Sequence, residues 1–218
     1  MKVLDLFSGL GGFSQAFKDR KHEVITVDIE SKFNPTFIKD IFDIKDLKEF
    51  GEFDVILASP PCNNFSIASV YRHWKHGRPK DEQTLKSIEL MKHTLKLIKE
   101  YNPKIWILEN PRGMLRKQVF MNPYDRREIT YCKYGMPYMK PTDLWGRFPK
   151  DFIAKKCLPN SICHKKVRRG SNLGVQGIIS KGHGDLKEVA SLRALVPYNL
   201  SLAICLACEK ELLVGGKK

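Results

Sequence analysis

The sequence predicts a doubly wound, mostly parallel α/β sheet, and three observations carry that prediction. Short apolar runs recur at 2–7, 23–27, 53–58 and 104–108, and each ends in polar, glycine or proline residues. Segments with helical spacing lie between them. The alternation of strand and helix is that of a parallel sheet covered on both faces.

The first run, 2–7, ends at Ser8 and is followed by Gly9, Gly11 and Gly12, after which 13–20 has helical spacing: strand, glycine turn, helix. The second run stops at Asp28, the third at Ser59-Pro60-Pro61 and the fourth at Glu109-Asn110-Pro111. Between the last two, Leu85, Ile88, Leu90, Met91, Leu95, Leu97 and Ile98 mark a long amphipathic helix over 83–101. A further strand is expected at 128–134, with Cys132 in the core. Residues 135–190 differ in character, with seven glycines, a basic run Lys165, Lys166, Arg168, Arg169 and weak periodicity. The expected organisation is a core over 1–134, a small irregular basic lobe over 135–190, and a closing helix within 191–218 that returns to the core.

At 218 residues and 42% apolar composition the chain can bury a full core. It has no run near the roughly 20 apolar residues of a membrane span and no signal-peptide layout, so a cytoplasmic location is expected. Lys+Arg 38 against Asp+Glu 24 gives a net charge of +14. Such an excess favours polyanions, nucleic acid first, because Lys and Arg contacts to phosphate release counterions; a merely basic surface is the plainer alternative. The six cysteines form no dense disulfide pattern.

In a sheet of this kind ligands bind beyond the carboxyl ends of the strands, which directs attention to Phe7–Gly12, Asp28, Cys62 and Glu109. The glycine turn allows close backbone approach to a nucleotide-like ligand. It lacks both the dinucleotide fingerprint and a P-loop lysine, which counts against NAD and ATP. Asp28 is placed either to accept from ribose hydroxyls or to cap a turn. Cys62 follows two prolines at a rigid corner that would present its sulfur to the cleft, although lone cysteines are commonly buried as small apolar residues. Glu109 could reach the same cleft as a proton donor. A thiol and a carboxyl together suggest covalent catalysis on a polarised ring.

These segments, in this order, resemble the cytosine-C5 DNA methyltransferase family: Asp5-Leu6-Phe7-Ser8-Gly9-Leu10-Gly11-Gly12-Phe13, the acid Asp28, Asp40-Ile41, Ser59-Pro60-Pro61-Cys62-Asn63-Asn64-Phe65-Ser66, and Glu109-Asn110-Pro111. The resemblance implies a Rossmann-like methyltransferase fold, S-adenosyl-L-methionine as cofactor with S-adenosyl-L-homocysteine as product, and DNA, duplex in the first instance, as partner. RNA is the alternative polymer, and a catalytically silent binding protein is the alternative outside enzymes. It implies that Phe7, Gly9 and Gly11 line the cofactor pocket, that Asp28 binds the ribose, that Ile29, Asp40 and Ile41 contact the adenine, and that Leu85 borders the same pocket. It further implies that Cys62 attacks C6 of a flipped cytosine and that Glu109 stabilises the protonated N3. The segment 63–82, with Ser66, Arg72, Lys75 and Arg78, resembles the family's mobile catalytic loop, a plain solvated loop being the alternative.

Departures from the family pattern are also visible. Asn63 replaces a glutamine and Pro111 a valine, and the later arginine motif is degenerate, leaving Arg126 and Arg127, of which Arg127 is the candidate to support the base. Asn199 in Tyr198-Asn199-Leu200-Ser201 is the candidate for the cofactor's methionine end, or else an ordinary helix cap. The segment 134–149 resembles compact methylase-like proteins of phages and mobile elements, which makes Lys140, Arg147, Arg168 and Arg169 candidate phosphate contacts, or else a solvated face. Cys157, Cys163 and His164 could join a ligand such as His183 around zinc, but their spacing fits no standard finger, so no metal is expected. Cys205 and Cys208 are expected to pack in a helix. No membrane contact and no obligate protein partner are expected.

Overall fold

The computed structural model describes residues 1–158, 161–164 and 194–214. Its frame is a seven-stranded sheet: β1 (Lys2–Leu6), β2 (Glu23–Asp28), β3 (Phe37–Ile38), β4 (Val55–Ala58), β7 (Ile105–Pro111), β8 (Arg126–Thr130) and β9 (Pro141–Arg147). The order across the sheet is β3-β2-β1-β4-β7-β9-β8, and β5 (Trp74–Lys75) and β6 (Arg78–Pro79) form a separate hairpin. The pairs from β3 through β7 are parallel, whereas β9 runs antiparallel between β7 and β8. The chain winds outward from β1 in both directions, so the switch point lies between β1 and β4.

Alternation along each strand divides the core into two layers. Val3, Val55, Leu57, Ile105 and Ile107 face the layer that contains Phe13 and Phe17 and the closing helix α4 (Tyr198–Glu209). Leu4, Leu6, Ile56, Trp106 and Leu108 face the other layer, which is covered by α3 (Glu82–Tyr101). In α3 the apolar stripe Met91, Leu95 and Ile98 is buried, each such side chain contributing about 1.5–3 kcal/mol. Asp81 starts that helix by accepting from the Thr84 amide at 2.7 Å, and Asn102 ends it in the left-handed conformation at φ 54°.

The helix α4 packs against α1 (Gln15–Asp19). Ser201 Oγ donates to the Phe13 carbonyl at 2.7 Å and accepts from the Ala16 amide at 3.1 Å. Cys205 and Cys208 are fully buried on its inner face, in the packing role the sequence predicts.

Two readings of the sequence need correction. The strand expected at 128–134 ends at Thr130, and Tyr131–Tyr134 form a 3-10 turn. The boundary expected at residue 134 runs through the sheet, because β9 fills the space between β7 and β8. The glycines and prolines of 134–149 hid this strand; Asp143 within it is fully buried and neutralised by Arg116 and Arg126.

Candidate active site

A cleft of about 360 Å³ opens beyond the carboxyl ends of β1, β4 and β7, in the size range of small-ligand pockets. Its first wall is the turn after β1. Phe7, Gly9 and Gly11 all have positive φ, at 58°, 49° and 77°. A phenylalanine in the left-handed region is strained, and such strain persists only where the surroundings enforce it. Here Ser59 Oγ donates to the Phe7 carbonyl at 3.0 Å, and the carboxylate of Asp28 accepts from the Gly9 amide at 2.8 Å and the Glu30 amide at 2.9 Å. Each carboxylate oxygen of Asp28 can accept a second hydrogen bond, so the residue both holds the turn and faces the cleft. Ile29 beside it is 60% exposed, an apolar surface at the lip.

The second wall is the corner Ser59-Pro60-Pro61-Cys62 after β4. The buried Asn110 side chain donates to the Pro60 carbonyl at 3.1 Å and ties this corner to the end of β7. The Cys62 carbonyl accepts from the amides of Phe65 and Ser66, both at 3.0 Å, leaving its half-buried side chain on the cleft. Behind it Gly113 pairs with Ser66 across an isolated bridge, and a Cβ there would lie 2.0 Å from the Phe65 carbonyl oxygen. Gly113→Ala must therefore push the Cys62 segment away from β7. The expected result is a loss of about 10²-fold in the rate of the reaction at this cleft and a destabilisation of about 1–3 kcal/mol, read by methyl transfer and thermal melting.

The third wall holds Glu109, which is 4% exposed and accepts from the Tyr131 hydroxyl at 2.8 Å. Burial pushes the Glu109 carboxyl above the usual carboxylate range, against the opposing pull of Lys140 and of the Tyr131 hydrogen bond. Burial and the neighbouring Glu109 hold the Tyr131 phenol well above its ordinary value, so it remains a donor. Lys140 also lines the cleft, its Nζ 4.3 Å from the centre of the Tyr131 ring.

Of the residues the sequence singled out, the cleft brings together Phe7, Gly9, Asp28, Ile29, Cys62 and Glu109, and Lys140 joins them from β9's leading end. Gly11 shapes the turn without lining it. Asp40, Ile41, Leu85 and Asn199 are not among the lining residues. Asp40 caps a 3-10 turn by accepting from the Phe42 amide at 3.0 Å, and Ile41 is buried in the core. Leu85 is half exposed on the first turn of α3, and Asn199 is exposed on α4 beside Gly135. The residues missed are Glu30, Phe33 and the run Ala194-Leu195-Val196. Pro197 is the available signal for that run: it marks the start of α4, so its predecessors arrive at the glycine turn.

Arg127 and Arg147 stand away from the cleft. The Arg127 guanidinium stacks over Phe148 at 4.3 Å and donates to the Phe152 carbonyl at 2.6 Å. Arg147 donates to the Pro103 carbonyl at 2.8 Å, bracing the turn between α3 and β7. The reason is directional: seven residues of strand at about 3.3 Å each carry the chain about 23 Å from Lys140 to Arg147, to the opposite end of the sheet. Arg168, Arg169 and His183 lie outside the described residues.

The segment 63–82 is folded. It contains a 3-10 turn, α2 (Val70–His73) and the hairpin β5–β6, pinned by the buried Trp74, whose Nε1 donates to the Asn64 carbonyl at 2.6 Å. Arg72, Lys75 and Arg78 are exposed on it, while Ser66 Oγ accepts from the Ala68 amide at 3.2 Å.

Sheet order and cleft together define the Rossmann-like fold of S-adenosylmethionine-dependent methyltransferases. A prophage-encoded E. coli protein described as a "putative DNA modification methyltransferase" shares this fold, with a TM-score of 0.53 at 20% identity over 89% of this chain and 69% of that one. The family model "C-5 cytosine-specific DNA methylase" matches residues 1–122. A "Probable DNA (cytosine-5)-methyltransferase" of Frog virus 3 is 32% identical over 207 residues, 90% of this chain and 95% of the viral protein. The chain belongs to the C-5 cytosine-specific DNA methylase family, whose enzymes use S-adenosylmethionine. It is much shorter than bacterial relatives: the type II methyltransferase M.HgiCI of Herpetosiphon aurantiacus is 29% identical over 126 residues, 52% of this chain but 28% of that protein.

Proposed function

We propose that the chain transfers the methyl group of S-adenosylmethionine to C5 of a flipped cytosine in duplex DNA, with Cys62 as nucleophile and Glu109 as proton donor. The observation that carries this reading is the convergence of one thiol and one buried carboxylic acid on a single cleft from the ends of adjacent strands, opposite the glycine turn and Asp28.

The residues present suit the cofactor. The carboxylate of Asp28 matches ribose hydroxyls, Ile29 offers an apolar face to a flat purine, and the turn after β1 allows backbone approach. When bound, the cofactor supplies a methyl group on a sulfonium centre. The protein prepares the carbon that takes it, because C5 of cytosine is a poor nucleophile until C6 has been attacked. The Cys62 thiolate forms the bond to C6 while Glu109 gives its proton to N3, which leaves the electron pair at C5. After the methyl group has been taken up, the C5 proton passes to water, the Cys62–C6 bond breaks to restore the thiolate, and the N3 proton returns to Glu109. Exposed Arg72, Lys75 and Arg78 hold phosphates beside the extruded base. A thiolate nucleophile requires a reducing compartment, which supports the cytoplasm as the location. Among the described residues no helix is long and apolar enough to cross a membrane.

Lys140 supplies the positive charge at this site in place of Arg127. Lys140→Met is expected to lower kcat about 10–10²-fold, and Arg127→Met to change it by less than about threefold while lowering stability. The experiment for the whole reading is transfer of labelled methyl groups to duplex DNA of mixed sequence and to RNA. Incorporation into DNA cytosine at C5 is the expected result; incorporation into RNA alone would overturn the assigned polymer.

A further inference from the structure

We infer that the chain carries a tetrahedral zinc site, built by Cys132, Cys157, Cys163 and His164, that fastens the segment after β9 to the edge of the sheet. One ligand atom from each of the four residues lies within 4.8 Å of all the others. Cys157 Sγ is 3.4 Å from Cys163 Sγ and 3.7 Å from His164 Nδ1, and Cys163 Sγ is 3.7 Å from the same nitrogen. Zinc bonds of about 2.3 Å to sulfur and about 2.1 Å to nitrogen give tetrahedral edges of about 3.5–3.8 Å, within a few tenths of an ångström of the three separations among Cys157, Cys163 and His164, with Cys132 Sγ within 4.8 Å of each.

Each ligand comes from a segment already held in place. Cys132 lies in the 3-10 turn that follows β8. Cys157 is brought alongside by a short ladder: the Thr130 amide donates to the Lys155 carbonyl at 3.1 Å, and the Cys157 amide to Thr130 Oγ1 at 2.6 Å. Cys163 and His164 follow Ser161, whose amide and hydroxyl both donate to the Leu158 carbonyl, at 3.3 and 2.8 Å. Cys132 and Cys157 are buried, and Cys163 and His164 close the mouth half-exposed.

Neither a disulfide nor apolar packing accounts for the whole cluster. A disulfide requires about 2.05 Å between sulfurs, well short of the observed 3.4 Å, and would leave a thiol and an imidazole aimed at it. Apolar packing explains Cys205 and Cys208, which sit among leucine and isoleucine, but not an imidazole nitrogen directed at a cluster of thiols. Three sulfurs and one nitrogen are the ligand set of structural zinc and a poor one for magnesium or calcium. Among the described residues the other convergence of such groups, His22, Cys205 and Glu209, is an ion-pair cluster: Arg20 already holds both oxygens of Glu209, at 2.8 and 2.7 Å. The sequence conceals the site because 24 residues separate Cys132 from Cys157, and Cys132 reads as a strand residue. His183 is not needed as a fourth ligand.

The site also bears on the cleft. Cys132 adjoins Tyr131, the donor to Glu109, and the Lys155 amide donates to Tyr134 Oη at 3.0 Å from the same bound segment. An ion here would fix the 3-10 turn that carries Tyr131.

The test uses the full chain purified without chelator, reduced, then supplied with zinc and dialysed. About one zinc per chain is expected by elemental analysis, with a three-sulfur, one-nitrogen shell by X-ray absorption and a tetrahedral spectrum when cobalt(II) replaces it. Cys132→Ser and His164→Ala should retain less than roughly a tenth of an equivalent, Cys62→Ala should retain the full amount, and chelation should lower the melting temperature. The inference is overturned by a wild-type chain that binds no zinc or cobalt after reduction, by retention of zinc in Cys132→Ser, or by a Cys157–Cys163 disulfide in freshly purified protein. The metal content and cobalt spectrum of the wild type decide the matter even if a variant fails to fold.

Discussion

Cys62→Ala is expected to abolish methyl transfer, lowering kcat/KM by about four orders of magnitude or more, while cofactor binding changes less than about threefold. Addition at C6 is what makes C5 reactive, so loss of the sulfur removes the reaction itself. No other thiol among the described residues can substitute: Cys205 and Cys208 are sealed on the inner face of α4, and Cys132, Cys157 and Cys163 belong to the cluster beyond Tyr131. Cys62→Ser keeps the shape of the corner but presents an oxygen that is scarcely ionised near neutral pH, and it should be almost as inactive. The direct measurement uses duplex DNA carrying 5-fluorocytosine, in which no proton can leave C5. Wild-type protein should form a denaturant-stable adduct with this DNA in the presence of cofactor, and Cys62→Ala should form none. Methyl transfer by the alanine variant at more than about a hundredth of the wild-type rate would assign the nucleophile elsewhere.

The elements around this cleft were legible in the sequence because each is a short, local statement. An apolar run stops, a glycine, acid or proline follows, and the parallel sheet turns that stop into one wall of a ligand site. Phe7, Asp28, Cys62 and Glu109 were found in this way, and the alternation in β4 and β7 fixes which neighbours they meet. What escaped depends on contacts distant in the chain. The strand β9 is interrupted by glycine and proline and gains its identity only from pairing with β7 and β8. Its antiparallel direction, invisible locally, delivers Lys140 to the cleft and removes Arg147 from it. Arg127 fitted a motif by residue type, yet Phe148 and Phe152 hold its guanidinium elsewhere. The cleft lining likewise leaves out Asp40, whose carboxylate caps a 3-10 turn, and Asn199, which is exposed on α4.

Glu109→Gln is expected to lower kcat about 10²–10⁴-fold and to change the shape of the pH profile. The amide retains a hydrogen-bonding group at N3 but cannot give up a proton. Burial favours the neutral form of Glu109, so the carboxylic acid persists to higher pH than in an exposed glutamate. In the wild type, activity should therefore fall as pH passes through the raised value of Glu109. The glutamine variant should lose that falling limb. Stability follows the same titration and in the same direction. Between the ordinary glutamate value and the raised one, the native state binds more protons than the unfolded chain, so wild-type stability declines as pH rises across that window. Glutamine carries no charge to bury, and the variant should melt no lower than the wild type at neutral pH and show a flatter dependence on pH. Thermal melts from pH 5 to pH 9 beside kcat profiles over the same range (about one pH unit per step suffices) separate a lost proton donor from a damaged fold. A glutamine variant that is both inactive and markedly less stable at neutral pH would mean that Glu109 holds the fold together through Tyr131 and does not act as the acid.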